Sequence, residues 1–153
     1  MYTEQASAPL KLIFAQTTDK DGNVTTHAAF YDLFGGIAEV MNVDGPQAEQ
    51  FGPELVIEPI NKYSDVPHEV VTLWITPDEK EKICQAVRDM FDQRDALAMI
   101  FSGNPVSGEI PKLTEAGFCV EALRAALPIL PNVPVNLISV QKLYTVLKMR
   151  GGN

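Results

Sequence analysis

The sequence predicts an α+β fold in which a single-domain antiparallel sheet is packed by C-terminal helices. The strand-like segments come first, over residues 10–75, and the helical segments follow, over residues 76–148. Strands followed by helices are typical of α+β proteins, whereas doubly wound folds alternate the two. A length of 153 residues, without an internal repeat or a Ser/Gly-rich linker, indicates one domain over residues 1–153.

Five strands are predicted in the first half of the chain, where apolar and β-branched runs are bounded by turn-forming residues. They cover residues 10–17, 24–31, 37–41, 54–60 and 69–75. The fifth strand reads EVVTLWI and carries apolar residues on both of its faces. Because this pattern is typical of a strand covered on each side, we expect both faces of the fifth strand to be buried.

Three helices are predicted in the second half. The segment TPDE, which begins at Thr76, combines an N-cap, a proline at the first helical position and a glutamate at the third. Apolar residues at helical spacing extend this helix to about Arg94. Prolines confine a second helix to residues 115–127, and a third helix begins near Ser139.

Charge and hydropathy exclude several classes of protein. The chain has 12 Lys and Arg against 20 Asp and Glu, a net charge of -8, so a partner that is a nucleic acid is not expected. No window approaches the roughly 18 apolar residues of a membrane span, so no membrane anchor is expected. Residues 1–9 hold no Lys or Arg and no signal-peptide core follows them. The chain is therefore expected to be cytoplasmic as synthesised, and export would need a specialised secretion system.

The two cysteines, Cys84 and Cys119, have neither the number for a disulfide framework nor the spacing of a zinc site. The common phosphate-binding, dinucleotide-binding and serine-hydrolase motifs are missing as well, and no cofactor or metal is predicted. The chemistry left open is that of a Cys–His hydrolase, which needs a thiolate, an imidazole and a third polar group. Cys84 lies on the apolar stripe of the first predicted helix, where we expect a core residue.

The base of such a site has to be one of two histidines. His27 lies in the second predicted strand, and a three-residue turn would place it directly opposite Glu39 on the third. The carboxylate would then fix the imidazole tautomer and leave the other nitrogen for the thiol. A two-residue turn would move Glu39 to the other face, and a cross-strand His–Glu pair is also ordinary without catalysis. His68 has only its neighbour Glu69 to orient it and is the weaker candidate.

The position of Cys119 depends on where the second helix begins. If Gly117 marks the junction between loop and helix, Cys119 lies in the first turn, where the helix dipole stabilises a thiolate. If the helix begins at Thr114, the cysteine lies in the second turn and the dipole effect weakens. The alternative interpretation is structural, because Cys119 shares an apolar stripe with Leu123 and Ala126 and free cysteines are among the most buried residues.

Three stretches of the chain share their order with a known family of enzymes. They are THAAFYDLFGGIAEVM, which holds His27 and Glu39, then EVVTLWITPDEKEKICQAV, and then FCVEALRAALPIL followed by ISVQKLYTVLK. In this order they resemble the circularly permuted papain-like cysteine hydrolases, relatives of NlpC-type cell-wall peptidases and of lecithin-retinol-acyltransferase-like enzymes. The resemblance implies a permuted papain-like fold with Cys119 as nucleophile, His27 as base and Glu39 as the orienting residue. Phe118 stands where members commonly carry Asn.

The function that the resemblance implies is a thiol amidase or peptidase that cleaves an amide bond, with peptidoglycan as one candidate substrate. A small acidic amidase without a secretion signal also fits a delivered effector, whose partner would be an inhibitor or immunity protein. Two alternatives remain open from the sequence. One is a non-enzymatic binding or regulatory protein that keeps the same scaffold, and the other is a thioester-forming lipid acyltransferase.

Overall fold

The computed structural model describes residues 7–41, 54–92 and 114–150. The predicted α+β class and the order of strands before helices are confirmed in these residues. The predicted strand bounds agree with the structure within two residues, whereas the second helix ends four residues before residue 127. The predicted end of the first helix near Arg94 lies outside the described residues. The strands are β1 (Ala8–Thr18), β2 (Val24–Leu33), β3 (Gly36–Met41), β4 (Glu54–Glu58) and β5 (His68–Ile75). The helices are α1 (Pro77–Asp92), α2 (Glu115–Leu123) and α3 (Val140–Met149), with a 3-10 turn over Val135–Leu137.

The strands form one antiparallel sheet in the order β4-β3-β2-β1-β5. β1 is the longest of these strands, with 11 residues, and it pairs with β2 on one side and β5 on the other. Its side chains alternate, so that Leu10 and Leu12 face the helices while Ile13 and Ala15 face the opposite side. Both sets are buried, which explains the apolar run over residues 12–15 of this strand.

The helices pack on one face of the sheet and form the main core. Buried residues of all three helices, among them Ile83, Phe118 and Leu143, lie against Phe30 and its neighbours on that face. The expected capping box at the start of α1 is confirmed, since Thr76 and Glu79 exchange hydrogen bonds between side chain and backbone. No helix in the described ranges is both long enough and apolar enough to cross a bilayer.

The opposite face of the sheet is covered in part by the segment that connects β4 and β5. Tyr63 of this segment is buried in a second, smaller cluster with Ile13, Ala29 and Ile37. This segment does not cover Trp74, which lies near the end of β5 and is 55% exposed. The expectation that both faces of the fifth strand are buried is therefore wrong at this position, where β5 is an edge strand of the sheet.

The hairpin between β2 and β3 determines which residues can meet on this second face. Its turn consists of Phe34 and Gly35, both with positive φ (55° and 83°), as in the two-residue turns that suit a twisted hairpin. Such a turn alone would put Glu39 on the helix-facing side. A bulge with Asp32 at φ 57° adds one residue to β2, and the register becomes Phe30↔Ala38. The bulge thus returns Glu39 to the face opposite the helices.

Candidate functional site

His27 lies at the centre of a hydrogen-bonded group on the sheet face opposite the helices. It shares this face with Ala29, because side chains alternate along β2. One ring nitrogen, Nδ1, is 2.8 Å from Oε1 of Glu115, and the other, Nε2, is 2.7 Å from Oγ1 of Thr17. Thr17 is the diagonal neighbour of His27 across the β1–β2 ladder, which has Ala15 directly opposite His27. The imidazole therefore joins a hydroxyl to a carboxylate.

The partners of His27 determine which nitrogen carries the proton when the ring is neutral. The ionised carboxylate of Glu115 can only accept a hydrogen bond, so Nδ1 must be the donor. Nε2 of the same neutral ring then has a free lone pair and accepts the hydroxyl proton of Thr17. This is the arrangement of a hydroxyl–imidazole–carboxylate triad in its resting state, which is recognised by geometry and not by sequence order.

Glu115 reaches His27 because α2 begins at this residue. Thr114 is the N-cap, and its side-chain oxygen accepts a hydrogen bond of 2.8 Å from the backbone N–H of Gly117. Gly117 allows this close approach, since a Cβ at that position would lie 2.7 Å from Oγ1 of Thr114 and 3.1 Å from the carbonyl oxygen of Val135. A carboxylate in the first turn is also favoured by the helix dipole. Thr114 followed by Glu115 was the sequence signal for this start.

Cys119 is not brought to His27. It is the fifth residue of α2, fully buried in the main core on the helix side of the sheet, and its thiol forms no hydrogen bond with any described residue. Burial raises the pKa of its thiol far above the usual range, and the negative charges of Glu115 and Glu39 raise it further. Of the two helix starts that the sequence left open, the structure has the one at Thr114, so Cys119 lies in the second turn and not in the first.

Glu39 and His27 share a face, as predicted, but they do not pair. The register places Ala38 opposite Phe30, so the expected direct opposition of His27 and Glu39 is wrong by two residues. The carboxylate of Glu39 is only 1% exposed and binds two other partners. Its Oε2 accepts a hydrogen bond of 2.6 Å from the hydroxyl of Tyr63, and its Oε1 is paired with the ammonium of Lys62.

Tyr63 connects Glu39 to His27 through its ring. The phenol ring stacks on the imidazole with centroids 5.6 Å apart and an interplanar angle of 25°. Burial is the main cause that raises the pKa of Tyr63 well above its usual range, and the hydrogen bond to Glu39 raises it further, so the phenol remains a neutral donor. Lys62 and Tyr63 were not identified from the sequence. They belong to a loop, and only the fold brings them to β3.

A cavity of about 310 Å³ adjoins His27 at the end of the sheet. It lies between the ends of β1 and β2, the start of β5 and the start of α3, and both histidines of the chain line it. His68 is oriented by a hydrogen bond of 2.7 Å from its Nδ1 to the carbonyl oxygen of Val66. Within the residues that the structure describes, no group of three or more His, Cys, Asp or Glu is arranged to hold a metal ion.

No protein-family model matches this sequence, and neither a curated protein nor a solved structure shows significant similarity to it. One fold class hosts many activities, so the function of this chain depends on the chemistry of its site. Two features stand out in the described residues. One is the chain of hydrogen bonds from Thr17 through His27 to Glu115, and the other is the cavity beside it.

Proposed function

We propose that the chain is a hydrolase of amide or ester bonds in which Thr17 is the nucleophile, His27 the base and Glu115 the orienting carboxylate. The observation that carries the proposal is the pair of hydrogen bonds at His27, 2.7 Å to Thr17 and 2.8 Å to Glu115. A nucleophile and a base that lie within about 2.6–3.2 Å of each other, with the base held by a third group, are the signature of an activated nucleophile.

The chemistry follows from this hydrogen-bonded chain. Oγ1 of Thr17 attacks the carbonyl carbon while Nε2 of His27 takes the hydroxyl proton. The imidazolium is stabilised by Glu115 and returns the proton to the leaving amine or alcohol as the acyl bond breaks. Water, deprotonated by the same imidazole, then hydrolyses the acyl–threonine ester, and the hydroxyl of Thr17 is restored.

Exposure and neighbouring space support a substrate at this site. The side chain of His27 is 20% exposed and that of Glu115 is 12% exposed, so the imidazole is accessible while its carboxylate is shielded. His27 also lines the cavity, together with Gln16, the residue before Thr17. A shielded carboxylate strengthens the electrostatic support of an imidazolium, because the effective dielectric constant is lower there than in water.

A permuted papain-like architecture is part of the same proposal. Its support is the chain order, in which the histidine strand precedes a helix whose N-terminus faces the histidine. The orienting contact that the family resemblance gave to Glu39 is made here by Glu115, which lies on the same helix as Cys119. Glu115 and Cys119 are four positions apart and lie on the same side of α2, one turn from each other.

Variants of the three residues test the proposal with a panel of p-nitrophenyl esters and peptide amides. We expect Thr17→Val and His27→Ala each to lower kcat by at least about 10³-fold, with the double variant little worse, because members of a triad act as a unit. Thr17→Ser should retain turnover, and its acyl ester should be detectable by mass spectrometry. Thr25→Val is the matched control, since Thr25 lies directly opposite Thr17 in the ladder and is exposed.

Two results would overturn this assignment. Equal activity of the wild type and Thr17→Val would exclude Thr17 as the nucleophile. Loss of activity in Cys119→Ala with retention in Thr17→Val would assign the thiol instead, and α2 would then have to present Cys119 one turn nearer to His27. Thermal melting of each variant separates loss of chemistry from loss of folding.

A second candidate is a non-enzymatic binding protein, and the burial of Cys119 favours it. The thiol that the family resemblance makes the nucleophile is 0% exposed and lies on the other side of the sheet from His27. In this case the cavity would bind a ligand without converting it. Absence of turnover in the wild type over the whole substrate panel, together with ligand binding at the cavity, would support this candidate.

A further inference from the structure

The cavity at the end of the sheet has an aromatic and aliphatic wall. The rings of Phe14 and Tyr144 pack edge to face, with centroids 5.2 Å apart and an interplanar angle of 78°. Pro67 and Val140 complete this apolar part of the lining. A volume of about 310 Å³ lies near the lower end of the range for small-molecule sites.

The polar side of the cavity carries hydrogen-bond acceptors and a negative charge. Glu69 lines it, and the hydrogen bonds from Lys148 and then from Tyr144 lower the pKa of this carboxyl group, so it is ionised at neutral pH. The Nδ1–H of His68 is engaged by Val66, which leaves Nε2 of the neutral ring as an acceptor toward a ligand. No Lys or Arg is found among the residues that line the cavity.

We propose that this cavity binds an alkylammonium group, such as a free alkylamine or the side chain of a lysine residue. The apolar wall would hold the alkyl chain, and the carboxylate of Glu69 would pair with the ammonium. A cation is also attracted to the faces of Tyr and Phe rings within about 6 Å of the ring centroid. An anionic ligand would be repelled by the carboxylate of Glu69, because no Lys or Arg lines the cavity to neutralise that charge.

A lysine of the chain itself competes with a ligand ammonium for the carboxylate of Glu69. The ammonium of Lys148 lies 3.2 Å from Oε2 of Glu69, and the hydroxyl of Tyr144 donates to the same carboxylate at 3.1 Å. Lys148 comes from outside the cavity, and its side chain is 39% exposed. A ligand ammonium would share or replace this contact. Removal of Lys148 should therefore strengthen binding, while removal of Glu69 should weaken it.

Binding of an alkylammonium group in this cavity does not depend on the chemistry proposed for Thr17 and His27. Hexylamine, hexanol and hexanoate serve as probes of equal alkyl length, and amide chemical shifts of ¹⁵N-labelled protein report where each one binds. We expect hexylamine to bind more tightly than hexanol and hexanoate to bind least, with shifts at Gln16, Glu69 and Gln141. Nα-acetyl-lysine amide then tests whether the source of the ammonium is a lysine residue.

The variants decide whether Glu69 is responsible. Glu69→Gln should weaken hexylamine binding by up to about fivefold, as expected for the loss of one exposed ion pair, and Lys148→Met should strengthen it by a similar factor. Glu81→Gln is the matched control, because Glu81 is an exposed glutamate of α1 that pairs with Arg88. Equal affinity for the three probes, or equal weakening in Glu69→Gln and Glu81→Gln, would overturn the proposal.

Discussion

Removal of the Lys62 ammonium should expose how strongly the fold depends on the buried carboxylate of Glu39. Glu39 is 1% exposed, and its two oxygens are satisfied by Lys62 and by the hydroxyl of Tyr63. In Lys62→Met one carboxylate oxygen loses its partner while the charge stays buried. Breaking a buried pair from one side costs about 3–5 kcal/mol. Since the side chain of Lys62 is 31% exposed and water can approach from its side, we expect a cost near the lower end, about 3 kcal/mol.

This loss is large enough to measure by thermal unfolding followed by circular dichroism. For a chain of this length about 1 kcal/mol corresponds to roughly 2–4 °C, so Lys62→Met should lower Tm by about 6–12 °C. Lys82→Met is the matched control, because the Lys82–Asp78 pair has side chains 59% and 61% exposed and should contribute less than about 1 kcal/mol. Adding Glu39→Gln to Lys62→Met should recover part of the loss. If Lys62→Met melts like Lys82→Met, the buried-charge reasoning is refuted.

Three further predictions use the helices and the loop. Burial raises the pKa of both thiols, and Cys119 is the more deeply buried one, so iodoacetamide should label Cys84 first and Cys119 only on unfolding. Mass spectrometry after timed quenching measures this order, and early labelling of Cys119 would contradict it. Gly117→Ala should destabilise the protein by about 1–3 kcal/mol, although alanine usually favours a helix, because the new Cβ would lie 2.7 Å from the N-cap oxygen of Thr114; a raised Tm would contradict this. Burial and, as the smaller cause, the hydrogen bond to Glu39 raise the pKa of Tyr63. The contribution of the neutral phenol to stability is therefore present below about pH 10 and lost above it. Urea titrations from about pH 8 to 11 should therefore show a smaller loss of stability in Tyr63→Phe than in the wild type.

The elements with strong local signals could be predicted from the sequence. The capping box at Thr76 and Glu79 fixes the start of α1 by contacts between neighbouring residues, and both hydrogen bonds are present. Ser139 caps α3 by a single bond, in which its side chain accepts from the backbone N–H of Lys142. The strands were predicted within two residues of their ends, because apolar alternation and turn residues are both local features.

The partners of His27 could not be predicted in the same way, because they depend on contacts distant along the chain. Glu115 is 88 positions from His27, and nothing in the alternation of β2 indicates it. The face of Glu39 was predicted correctly from a three-residue turn, yet the hairpin reaches that face by a two-residue turn and a bulge at Asp32. A bulge of this kind has no clear signature in DLFGG, so the register was wrong by two residues.

The protonation of His27 is the most direct test of the proposed site. In ¹⁵N-labelled protein at a pH where the ring is neutral, long-range imidazole spectra should show the Nδ1–H tautomer, with a downfield proton resonance from the bond to Glu115. Glu115→Ala should abolish that resonance, Thr17→Val should leave Nδ1 protonated and shift Nε2, and Cys119→Ala should change neither. An Nε2–H tautomer, or imidazole signals that respond to Cys119→Ala and not to Glu115→Ala, would contradict the Thr17–His27–Glu115 site.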